Sequence, residues 1–139
     1  EGLVMQPLSA LIASTNSIDA IHCFYNLGCV PLCITRIIEV SGHIWLMEYI
    51  QGDCDMICKT AVLQVLVQLC KDKHCVRDLI HQGFIGVLVT LVITSDNMIR
   101  LDIIKFILCA LLHDIELPME CIEMIVQIMN KMCSGNLAE

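Results

Sequence analysis

CITRIIEVSGHIWLMEYIQGDCDMICKTAVLQVLVQLCKD (33–72) and CVRDLIHQGFIGVLVTLVITSDNMIRLDIIKFILCALLHD (75–114) are one pattern written twice. Laid over each other they run without a gap at an offset of 42 residues, from Cys33 on Cys75 to Asp72 on Asp114. Ile38 falls on Ile80, Leu46 on Leu88, Met56 and Ile57 on Met98 and Ile99, Leu66 on Leu108, and Leu69 on Leu111. A fixed period of this size marks structural units that cannot bury their apolar faces alone and do so against one another. The punctuation inside each copy divides it into a short, a medium and a long helix.

In the first copy the spacing predicts helices over 32–39, 44–50 and 55–70, broken at Ser41-Gly42 and Gly52, the last starting after Asp53 or Asp55. In the second it predicts 75–81, 84–93 and 97–112, with a turn at Gly83 and Ser95-Asp96 as a cap. Upstream, an apolar segment over 3–12 contains Pro7, and Ser14, Thr15 and Asn16 offer capping oxygens for a helix over 17–27. That helix carries Ile18, Ile21, Phe24 and Leu27 at helical spacing and stops at Gly28, and Pro31 suits the first turn of the next. After Glu116 and Pro118 comes a last helix, about 119–132. Its Glu120, Glu123, Gln127 and Asn130 form one polar stripe, while Ile122, Ile125, Val126, Ile128, Met129 and Met132 cover the rest. A single wet stripe is what the end of a row of repeats needs. No such stripe appears at the other end, so the natural chain is expected to continue upstream. The organisation is one repeat domain: a partial unit (1–30), two full units (31–72 and 73–114) and a capping helix (115–139).

Of the 139 residues, 57% are hydrophobic, and the mean hydropathy is +0.75, which demands that most helices be covered on more than one side. The apolar runs Gly2–Ile18 and Leu79–Ser95 are interrupted by Gln6, Pro7 and Asn16, or by His81, Gln82 and Gly83, so neither makes a clean membrane span. No basic n-region followed by an apolar h-region opens the sequence, so a secretory signal is not expected. Cys58, Cys70, Cys75, Cys109 and Cys121 sit among Ile, Leu and Val at helical spacing, as small core residues rather than loop staples. This usage indicates an intracellular protein, cytoplasmic or nuclear. A net charge of −7 with no basic stripe argues against binding nucleic acid.

The residues that could carry chemistry read better as structure. Cys70, His74 and Cys75 have part of a zinc spacing, but two further ligands are not identifiable. His22 and Cys23 are adjacent on a helix and point apart, so they do not form a nucleophile and base. Gly83 and Gly86 lack the lysine and hydroxyl of a phosphate loop. Asp53, Asp55, Asp96, Asp114 and Glu116 cluster at helix ends, where capping explains them. The lone tryptophan, Trp45, is placed for core packing, with an exposed anchor as the minor alternative. No catalytic constellation emerges, so no enzyme, cofactor or metal is expected.

The three-helix unit of 42 residues, the Gly83 turn followed by GFIGVLVTLV, and FYNLG (24–28) together resemble the armadillo-repeat family, with HEAT repeats as near neighbour. The resemblance covers about residues 14–114. It implies an all-α, right-handed α-solenoid whose third helices line a concave groove. In that family an Asn near the end of each third helix holds the backbone of an extended peptide, with a Trp commonly one turn earlier. Here the Asn place falls on Asn26, Gln68 and Ala110, and the Trp place on His22, Gln64 and Phe106. An amide both donates and accepts, so it can satisfy a peptide backbone without reading side chains. Ala110 breaks that ladder, which favours a groove partly apolar near Phe106 and open to a partner helix. The resulting expectation is a non-enzymatic interaction scaffold that binds a protein or peptide through these six residues, with a hetero-oligomer as one outcome. The alternative is a structural spacer or assembly interface within a larger repeat protein.

Overall fold

The structure is a computed structural model that describes residues 18–52, 55–94 and 97–138. The described residues form eight helices and no strand: α1 (Ile18–Leu27), α2 (Pro31–Glu39), α3 (Gly42–Gln51), α4 (Met56–Leu69), α5 (Lys73–His81), α6 (Phe84–Thr94), α7 (Asn97–Leu112) and α8 (Met119–Ala138). The expected apolar segment over 3–12, the capping oxygens of Ser14, Thr15 and Asn16, and Asp53, Ser95 and Asp96 lie outside the described residues.

Local chemistry sets the boundaries. Pro31 opens α2, where its missing N–H is no loss. Asp55 caps α4 by accepting the Cys58 backbone N–H at 2.8 Å, and that hydrogen bond lowers the Asp55 pKa. Asp72 accepts the His74 N–H at 2.8 Å, so α5 begins two residues before the expected start at 75. The turns between short and medium helices recur at the sequence period: Ser41 has φ 60° and Gly83 has φ 87°. Glycine adopts that left-handed conformation at no steric penalty, whereas serine there is strained. Asp114, which aligns with Asp72, does not open a helix. Its φ is 58°, its N–H donates to the Leu111 carbonyl, and an extended stretch to Pro118 follows. The last helix runs to Ala138, past Gly135 and beyond the expected stop at 132.

The long helices pack in series, α1 on α4 and α4 on α7. The medium helix α3 packs on α2, α4 and α5, and α6 packs on α5, α7 and α8. Burial follows the period: Ile34 and Val76, Ile37 and Leu79, Leu46 and Leu88, Ala61 and Ile103, and Val65 and Ile107 are each buried in both copies. Trp45 is half-buried against the core and stacks on Tyr49 at 5.5 Å. Polar links join the two full units. The buried His43 donates from Nε2 to Asp78 Oδ2 at 2.8 Å, and His113 donates from Nε2 to the Cys70 carbonyl at 3.0 Å.

Two identical pairs diverge. Leu66 and Leu69 are 0% exposed on α4, while Leu108 and Leu111 are 52% and 53% exposed on α7. The helix α4 has a long helix of the series on either side, whereas α7 has α4 on one side and, among the described residues, α8 on the other. The wet stripe that the sequence suggested is open on α8, where Glu120, Glu123 and Asn130 are exposed, but it is not alone. Ile122, Val126 and Met129 are 56%, 52% and 57% exposed beside Glu120, Glu123 and Asn130, because the helix turns Cys121, Met124 and Ile128 inward instead.

Candidate functional site: a trough across the long helices

The series α1, α4, α7 brings three helices side by side, and the side chains between them leave two adjoining hollows. His22 from α1, Met56, Ile57, Thr60, Ala61 and Gln64 from α4, and Met98 from α7 line one of about 370 Å³. Tyr25, Gln64, Val67, Gln68, Asp102 and Lys105 line the other, of about 240 Å³. Gln64 is common to both, so they form one trough, apolar at Met56, Ile57 and Met98 and polar at Gln68 and Asp102. Helical spacing explains the row on α4. Residues 57, 60, 64 and 67 recur every three or four positions and, with 56, 61 and 68 beside them, share a face.

Of the six residues singled out from sequence, the structure gathers three in the trough. His22 is exposed and Gln64 and Gln68 are half-buried within it, and Asn26 is exposed on α1 without lining either hollow. Phe106 and Ala110 require correction, since both are 0% exposed and cannot touch a partner. Phe106 meets Phe84 edge to face, with centroids 5.0 Å apart, and α7 buries this face against its neighbours. The α7 residues beside Gln64 and Gln68 are instead Asp102 and Lys105, about one turn earlier than the 42-residue equivalence places them. The expected apolar patch at Phe106 is therefore absent from the trough, and apolar side chains enter at its other end.

Asp102 was not foreseen. Its side chain is 8% exposed, its Oδ1 lies 3.8 Å from Lys105 Nζ, and its Oδ2 is buried without a hydrogen-bond partner. Burial pushes its pKa up, and the Lys105 ammonium opposes this. The sequence signal was a lone carboxylate, i, i+3 from a lysine, in a helix whose other polar residues are Asn97 and Arg100. Gln68 donates from Nε2 to Cys29 Sγ at 3.3 Å, a weak contact that leaves its carbonyl oxygen available. The trough thus offers amides, a phenol, a carboxylate and an ammonium close together, with an apolar slot alongside. Together these groups can donate and accept hydrogen bonds beside an apolar surface.

Cys70 and Cys75 are buried while His74 is exposed, so the three do not converge. Among the described residues no group of three or more His, Cys, Asp or Glu is placed to hold a metal ion. No single helix among them is long and apolar enough to cross a membrane. A larger hollow of about 400 Å³, lined by Ile50, Gln51, Lys59, Gly83, Gly86 and Thr90 among others, has Lys59 as the one charged side chain in its lining. Comparison with protein families, curated proteins and solved structures finds no match.

Proposed function

We propose that the chain is a right-handed α-solenoid of armadillo-like three-helix repeats that serves as a non-enzymatic protein-interaction scaffold. The observation that carries this reading is the trough through Gln64, which crosses all three long helices and mixes amide, carboxylate and apolar groups. An extended or helical segment of a partner lies across α1, α4 and α7. Gln64 and Gln68 hydrogen-bond its backbone, and Met56, Ile57 and Met98 take an apolar side chain. The serial packing of the long helices and the recurrence of buried positions at 42 residues support the solenoid arrangement. Cysteines that pack as core side chains support an intracellular setting.

The test is peptide selection on the purified chain, followed by titration of the enriched peptides into variants. Gln64→Arg and Gln68→Arg should each weaken binding by about tenfold, the loss of roughly one well-made contact. Glu48→Arg on α3, outside the trough, should leave it unchanged. Equal binding to all three variants would overturn the assignment.

A further inference from the structure

The α7 and α8 end carries a second surface, none of whose residues lines the trough. On α8, Met119, Ile122, Val126, Met129 and Cys133 recur at alternating three- and four-residue steps, and all are exposed. That is the spacing of a helix-pairing seam. It is a different stripe from the inward row of Cys121, Met124 and Ile128, so α8 has two apolar faces and only one of them is covered. On the neighbouring α7, Leu108 and Leu111 are open where their period-mates Leu66 and Leu69 are closed. In the interior of the molecule these leucine positions are covered by packed helices. Exposed apolar residues in such a row are a surface that a packed helix could cover.

Charge narrows the occupant. On α8 the charged residues are Glu120 and Glu123 in the first turns and Lys131 near the other end. Glu120 and Glu123 are exposed along the same flank of the α8 seam. A second copy paired seam to seam and running the same way would set Glu120 and Glu123 against like charge. We propose that this end docks one amphipathic helix of another protein, apolar at three- and four-residue spacing and carrying lysine or arginine on the flank that meets Glu120 and Glu123. The apolar residues supply affinity, and the carboxylates set orientation and exclude acidic helices.

The test uses two synthetic helical peptides of about 20 residues, long enough to span the seam. They share leucines at seam spacing and differ only in flanking lysines or glutamates. Fluorescence anisotropy should show the lysine peptide binding the full chain and the glutamate peptide failing to bind. Val126→Asp should weaken the lysine peptide by about tenfold or more. Glu120→Gln with Glu123→Gln, which leaves the apolar seam intact, should weaken it several-fold and flatten its salt dependence up to about 0.5 M. Gln64→Arg should leave it unchanged, which separates this surface from the trough. Circular dichroism establishes that each variant folds. Equal binding of both peptides, or binding insensitive to Val126→Asp and to the paired glutamine variant, would overturn the proposal. So would a concentration-dependent dimer in sedimentation that Val126→Asp abolishes, because the seam would then belong to a second copy.

Discussion

Phe84 of α6 and Phe106 of α7 meet edge to face, with ring centroids 5.0 Å apart and planes 79° to each other. Both rings are 0% exposed, so this pair fixes how the long helix α7 lies on the medium helix beneath it. Edge-to-face aromatic pairs contribute about 0.5–1.5 kcal/mol beyond simple burial. A double-mutant cycle with Phe84→Leu and Phe106→Leu in urea denaturation should return a coupling in that range. Phe106→Ala alone should cost about 3–5 kcal/mol. A coupling near zero would mean that the rings merely share space.

The leucines at 66 and 108 offer a controlled comparison, with the same residue at the same repeat position and different cover. Leu66→Ala should destabilise by about 2–5 kcal/mol, since the side chain is fully buried. Leu108→Ala, at a half-exposed site, should cost about 1 kcal/mol or less. Similar losses in chemical denaturation would contradict the asymmetry of the two ends.

Asp102 gives a pH signature. Burial raises its folded pKa above the unfolded value, so the folded chain holds the proton more tightly. Its contribution to stability is most favourable below the ordinary carboxylate range and is lost as pH rises through the raised folded pKa. Asp102→Asn should therefore raise Tm at neutral pH, with the gain shrinking to nothing in acid. Thermal melts across that range measure it, and a gain independent of pH would point to packing instead of charge.

His43 is 1% exposed and relies on Asp78, which is half exposed, for its Nε2 hydrogen bond. Asp78→Ala leaves that donor buried and unsatisfied, a loss of about 1–3 kcal/mol. In the Asp78→Ala, His43→Leu double variant the second change should recover part of the loss. No recovery would show that the histidine is satisfied in some other way.

Much of the helical layout was legible in the sequence because helix limits are local. Asp55, Gly83 and Pro31 act on their own neighbours, and the starts of α6, α7 and α8 follow from them and their like. The site was legible on α4, where Gln64 and Gln68 interrupt an apolar helix at adjacent turns. It was not legible on α7. Counting 42 residues from Gln64 leads to Phe106, yet the face a helix presents depends on how it packs, and the Phe84 contact draws Phe106 inside. The same limit applied to α8. Ile122, Val126 and Met129 are as periodic as Cys121, Met124 and Ile128, and periodicity alone does not say which row faces in.

The position of α4 between α1 and α7 has a consequence in time. Its backbone N–H groups can meet deuterium only after contacts with a long helix on either side have opened, so they should be the last in the molecule to exchange. Those near the outer end of α8 need far less to open and should exchange early. A deuterium-uptake map that is slowest over residues 58–69 and quickens toward α8 would show that openings in this chain begin at an edge and travel inward.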